Sequence, residues 1–238
     1  MTDRSVIKRQ IKESVRMTIP PVLAESRRRK EARPAELMTS ALALFVEKGF
    51  AATRLDDVAR RAGVSKGTVY LYFSSKDDLF KAVIREGIMP LLGEVQDMVT
   101  QHNGDSGSLL REILYAWWRM IGGTELAGVP KLMISEAQNF PEVAQFYFDN
   151  VIVPGRALVA NVLERGMVSG EFRRLPVESA VDVIFSPLMM MVIWRFSIGV
   201  CCRQTPPNPY QFIDQHLDIV LHGLRTAFNS SAASVDAT

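Results

Sequence analysis

The chain has 238 residues, 47% of them hydrophobic, enough to bury a core, which excludes an intrinsically disordered protein. Its net charge of +2 conceals an uneven spread: residues 1–32 carry +5, residues 33–90 carry +2 and residues 91–238 carry −5. That basic front points to a polyanionic partner at the N-terminal end, and the acidic rear excludes one there.

Residues 1–30 are predicted to be a basic flexible arm ending in Arg27-Arg28-Arg29-Lys30, with no secretory leader. The arm is either a solvated tail or a reach toward the minor groove. A first helix starts near Pro34, a favoured first-turn residue, and ends near Gly49, with Leu37, Ala41, Leu44 and Phe45 on its inner stripe. Thr53 opens a T-x-x-D capping box with Asp56, and Leu55, Val58, Ala59 and Ala62 then share one helical face. Gly63 supplies a left-handed exit, and Ser65 caps the next helix. In that helix Val69 and Phe73 turn inward, which leaves Lys66, Gly67, Thr68, Tyr70 and Tyr72 facing out. Ser75 opens a second box with Asp78. Lys76 lies in the first turn of a fourth helix that buries Leu79, Phe80, Val83 and Ile84 and is interrupted at Pro90. Two short helices across a glycine, the second rich in small, hydroxyl and basic groups, read as a helix-turn-helix whose second helix enters the major groove.

The strings PAELMTSALALFVEKGF (34–50) and AGVSKGTVYLYFSSKDDLF (62–80) carry a further signal. Over residues 31–85 the chain resembles the DNA-binding domain of the TetR family of bacterial transcription regulators. The resemblance implies base-edge and groove-floor contacts from Lys66, Gly67, Thr68 and Tyr70. It implies phosphate contacts from Thr53, Arg54, Ser65, Tyr72 and Lys76. Leu71 departs from the pattern, standing where many relatives carry a polar or aromatic residue.

Beyond residue 90 the reading rests on periodicity. Residues 103–108 form a loop by composition. Helices follow over 109–121, 129–139 and 142–166, with a turn at 169–171. A strongly apolar helix covers 176–199, residues 205–209 are a hard stop, and a last helix runs over 210–228 before a disordered tail at 229–238. There is no strand alternation. The longest apolar run, 183–194, is too short to span a bilayer and contains Pro187, so it reads as a buried helix and no membrane partner is expected. Cys201 and Cys202 are adjacent, too close to staple a fold. They read as two small buried residues in a reduced, cytoplasmic protein, with a thiol sensor as the alternative.

The predicted fold is all-α. An N-terminal three-helix helix-turn-helix domain (31–90) is joined by a long helix to a C-terminal helical domain (91–228). The resemblance implies that this second domain binds a small effector and forms a homodimer. Ile213, Leu217, Val220, Leu221 and Leu224 are the predicted dimer face. Trp117, Trp118, Phe140, Phe146, Tyr147, Met190 and Trp194 are the candidate lining of a hydrophobic effector site. Two reader helices then match a palindromic double-stranded operator, with effector binding releasing a repressor. A ligand-independent repressor, an activator or a non-specific architectural DNA binder are the alternatives. His102, His216 and His222 are scattered, with no metal-ligand spacing and no phosphate-cradling loop, so neither catalysis nor a cofactor is expected.

Overall fold

The computed structural model describes residues 21–202 and 208–225, and among them every regular element is a helix, apart from one isolated bridge between Phe172 and Arg225. In chain order these are α1 (Pro21–Lys48), α2 (Leu55–Arg61), α3 (Lys66–Tyr72), α4 (Lys76–Gly87) and α5 (Met89–Gln101). Next come α6 (Ser106–Trp117), α7 (Gly128–Glu136), α8 (Pro141–Tyr147), α9 (Val153–Val168), α10 (Val177–Ile193) and α11 (Pro209–Leu224). Single π turns follow α6, α8 and α10, at Trp118–Gly122, Phe148–Ile152 and Trp194–Ile198, and one-turn helices cover Glu125–Ala127 and Gly199–Cys202. Residues 1–20 of the expected arm, the tail 229–238 and the end of the last helix beyond residue 225 lie outside the described residues.

The expected start at Pro34 is corrected. The helix begins at Pro21 and carries Pro34 in its interior, so residues 21–30 are helical rather than an arm. The interruption expected at Pro90 is present: α4 stops at Gly87, and Pro90 occupies the first turn of α5, where its missing N–H costs nothing.

Local chemistry fixes the short elements. Ser65 Oγ accepts from the Thr68 N–H at 3.2 Å and Ser75 Oγ from the Asp78 N–H at 3.0 Å, caps that each contribute about 1 kcal/mol. Gly63 sits at φ +67°, the left-handed exit that lets α2 turn into α3 across the four residues 62–65. The expected Thr53–Asp56 box does not form. Thr53 is 2% exposed and its hydroxyl donates to the Gly49 carbonyl at 2.8 Å and the Leu44 carbonyl at 3.3 Å. It therefore ties the end of α1, and α2 starts at Leu55 with Arg54 at the N-cap position and no side-chain cap. Farther along, the Glu171 carboxylate accepts from the Ser106 and Gly107 N–H groups at 2.7 and 2.8 Å, satisfying free donors at the buried start of α6.

Two hydrophobic cores form. The first joins α1–α4 around Phe45, Phe50, Phe80, Leu37 and Leu79, and continues into Ile121, Val129, Leu132, Met133, Val143, Tyr147 and Val151. The second holds α6, α9, α10 and α11 together around Leu110, Leu114, Leu163, Ile184, Leu188 and Leu217. By packing, α7 and α8 therefore belong to the body of the helix-turn-helix, although they lie beyond the sequence boundary at residue 90. Gly128 marks how tightly α7 meets α1, because a Cβ there would run into the Val46 side chain.

The interior claimed one set of predicted surface residues. Ile213, Leu217, Val220, Leu221 and Leu224 are all buried against α6 and α10 of the same chain, so they are core and not a dimer face. The expectation for residues 183–194 also changes: a helix over Val177–Ser197 is long and apolar enough to cross a membrane by length and composition. Counting only the unbroken apolar run missed it. Only 22% of its apolar window is buried, so much of it faces outward. Cys201, expected inside, is exposed.

Candidate nucleic-acid interface and effector cleft

The reader helix α3 presents Lys66, Gly67, Tyr70 and Leu71 as exposed residues, with Thr68 and Tyr72 half-buried and Val69 anchored in the core. Seven residues make a helix too short to persist alone, and Val69 and Phe73 hold it in place. Lys66 Nζ lies 3.0 Å from Asp56 on α2 and 5.7 Å from the Tyr70 ring centre. That carboxylate holds the Lys66 pKa above the ordinary lysine value. Arg54 and Ser65 are exposed at the edges of the same face. The geometry gathers Arg54, Ser65, Lys66, Gly67, Thr68, Tyr70 and Tyr72 around one short helix.

Thr53 and Lys76 are placed differently. Thr53 has its hydroxyl committed to α1 and offers no side-chain group outward. Lys76 Nζ donates to the Phe50 carbonyl at 2.7 Å and the Ala51 carbonyl at 3.1 Å. The same ammonium sits 4.6 Å from the Phe50 ring centre and 5.3 Å from that of Phe140, and desolvation lowers its pKa. Lys76 is a clasp across the end of α1, drawing in Phe140 from the far side.

A cleft of about 760 Å³ opens in the C-terminal half, within the size range of small-molecule sites. Its walls are mainly apolar, from Trp117, Met133, Phe148, Phe185 and Met189 among others. Tyr147 lines it while almost wholly buried, and that burial pushes its phenol well above the ordinary tyrosine value. Three of the seven sequence candidates line this cleft: Trp117, Tyr147 and Met190. The other four do not. Trp118 is buried in the second core, Phe140 packs edge-on against Phe50 at 4.6 Å, Phe146 lies beneath Lys81 and Arg85, and Trp194 packs over Gly199.

The sequence reading missed the cleft's polar residues. Arg156 is the one cation among its lining residues. Arg156 bonds Asp182 and also Glu178, the latter at 2.9 Å, and the two carboxylates hold its pKa above the ordinary arginine value. The linkage ties α9 to α10 at the cleft. Arg119 and Arg195 are not part of the lining, and Arg195 instead donates to the Gly122 carbonyl at 3.1 Å.

Comparison with known proteins follows this division. Residues 37–83 match the model of bacterial regulatory proteins of the tetR family, and residues 103–197 match the tetracyclin repressor-like C-terminal domain. The uncharacterised HTH-type transcriptional regulator YdeS of Bacillus subtilis is 31% identical over 175 residues, covering 70% of this chain and 81% of YdeS. The chain belongs to the TetR family. It is a DNA-binding transcriptional regulator. The transcriptional repressor KstR2 of Rhodococcus jostii is 28% identical over 215 residues, 90% of this chain and all of that protein. In fold, this TetR-family chain is similar to FadR of Bacillus subtilis solved in complex with stearoyl-CoA. The TM-score is 0.63 at 18% identity, over 79% of this chain and 98% of FadR.

Proposed function

We propose that this regulator is a homodimeric repressor. In this reading its two reader helices bind a palindromic operator and a small, largely apolar effector in the cleft releases it. The observation that carries the reading is the double use of α8. Pro141, Ala144, Gln145 and Tyr147 line the cleft, while Val143 and Tyr147 pack into the core that holds the reader. A ligand that fills the cleft acts directly on an element of the DNA-binding body. KstR2 is named a repressor and FadR was solved with an acyl thioester, which favours repression and an apolar acyl effector. The protein acts in the cytoplasm, with no catalysis and no cofactor.

DNA contacts are assigned to Arg54, Ser65, Lys66, Gly67, Thr68, Tyr70 and Tyr72. Lys66 reaches a base edge by exchanging its Asp56 partner. Thr53 and Lys76 support the reader from beneath. The test is selection of bound fragments from random duplex DNA, followed by titration of the winning sequence. An inverted repeat with half-sites about one helical turn apart is expected, with affinity falling steeply with salt. Thr68→Ala is expected to change the preferred sequence, and Arg54→Ala to weaken all duplexes and flatten the salt slope by about one. A winner with no symmetry, or no winner, overturns the reading.

The dimer is assigned to the outer faces of α10 and α11. Val183 is 61% exposed and Ile219 is 72% exposed, on helices whose inner faces are core. A second copy laid across them covers the apolar face of Val177–Ser197 that the subunit itself leaves open. Val183→Glu with Ile219→Glu is expected to give a folded monomer by sedimentation. Its operator affinity should fall by about 100-fold or more, the avidity of a linked second reader. An unchanged dimer places the interface elsewhere.

A further inference from the structure

The reader helix carries a large apolar side chain that nothing in the subunit covers. Leu71 is 74% exposed, on a helix whose other exposed residues are Lys66, Gly67 and Tyr70. Leaving leucine in water forgoes the stabilisation its burial would bring. Gly67 lies four residues earlier, one turn along the same face. As the second residue of α3 it also gives up more backbone freedom on folding than alanine would. Nothing in the fold requires it: its φ is not positive, and a Cβ built there meets only Ser65 Oγ, at an easy 3.9 Å. Two unfavourable choices thus sit side by side on the one face directed away from the core. Together they make a shallow apolar notch, floored by the bare backbone at Gly67 and walled by Leu71 and by Tyr70, which is 49% exposed.

An occupant of this notch is apolar, small, and carried by something the surrounding Lys66 and Arg54 attract. In the major groove one group fits that description, the C5-methyl of thymine, the only apolar patch among the base edges there. We propose that Gly67 and Leu71 form a thymine-methyl reader, specifying an A·T pair of fixed polarity once in each half-site. The assignment rests on the operator-binding reading above. Leu71 supplies the contact that discriminates. Gly67 lets the helix come close enough for the contact to form.

The experiment uses the full-length protein and its selected operator. Each thymine is replaced in turn by deoxyuridine, which removes the methyl and leaves every hydrogen-bonding group in place. At one thymine per half-site, affinity is expected to fall about fourfold, the worth of one buried methyl-sized group, and about fifteenfold with both half-sites substituted. Leu71→Ala should bind thymine and uracil operators equally at that position while keeping its response to changes elsewhere. Gly67→Ala should match or exceed the native thermal stability yet bind the operator more weakly. If uracil is silent at every thymine of a well-defined operator, or if Leu71→Ala keeps the native thymine-to-uracil ratio, the methyl reader is wrong and the regulator stands. If no operator can be selected at all, the regulator reading fails first.

Discussion

Phe50→Ala is expected to destabilise the protein by about 3–5 kcal/mol and to abolish operator binding at physiological temperature. Phe50 is fully buried just past the end of α1, and three rings meet it. Its centroid lies 5.0 Å from Phe45, 5.2 Å from Phe80 and 4.6 Å from Phe140, the last two edge-on. Such pairs add about 0.5–1.5 kcal/mol each beyond area burial. Lys76 lies over the same ring and donates to the Phe50 carbonyl, so the cavity also loosens the clasp that seats α4 against α1. Against a typical total stability of about 5–15 kcal/mol, that loss is enough to unfold the reader's support. Urea unfolding followed by far-ultraviolet circular dichroism measures it. Phe50→Leu retains much of the apolar volume without the ring and should fall between the two. A loss below about 1 kcal/mol for the alanine variant would show that the cluster relaxes around the gap.

The reader was legible in the sequence because its signals are local. Ser65, Ser75 and Gly63 act on backbone groups within four residues, and each does what its type predicts. Thr53 was misassigned for the opposite reason. Its hydroxyl had two competing uses, and the carbonyls it serves, at Leu44 and Gly49, belong to the preceding helix. Lys76 reads as a surface cation until the fold brings Phe140 to it from sixty-four positions away along the chain. In the C-terminal half, helix existence followed from periodicity, but the use of each face did not. The stripe from Ile213 to Leu224 has the spacing of an interface and of a core alike, and α6 and α10 settle it as core. Aromatic residues could be counted in the sequence, yet of those expected in the lining only Trp117 and Tyr147 reach the cleft, where they are joined by Phe148 and Phe185, because the direction of each helix decides which rings face it. Arg156 gave no local signal, because its meaning comes from carboxylates on another helix.

The second large effect concerns the route between cleft and DNA. Phe140→Ala combined with Phe146→Ala is expected to leave effector binding within about threefold of native and to remove most of the effector's influence on the operator. The reason is the position of the two rings. Residues Pro141, Ala144 and Gln145 of α8 face the cleft, and neither Phe140 nor Phe146 does. Phe140 instead presses against Phe50 and Lys76, and Phe146 lies 5.7 Å from both the Lys81 ammonium and the Arg85 guanidinium on α4. Any shift of α8 on filling the cleft therefore reaches α1 through one ring and α4 through the other, and α4 begins three residues after Phe73 ends the reader. A ligand moves a two-state equilibrium only by its differential affinity for the two states, so weakening this contact reduces the differential without touching the ligand. A native coupling of about 1–3 kcal/mol corresponds to a 5- to 150-fold weakening of operator binding by effector. The double variant should fall below about threefold, a coupling under about 0.7 kcal/mol. The measurement pairs calorimetric titration of an effector, found by thermal-shift screening of long-chain acyl thioesters, with operator titrations at zero and saturating effector. A native-sized effector response in the double variant would move the route elsewhere, to the Arg156 linkage between α9 and α10, and Arg156→Gln would then carry the loss. Equal loss of effector binding and operator response would instead make α8 a part of the site alone.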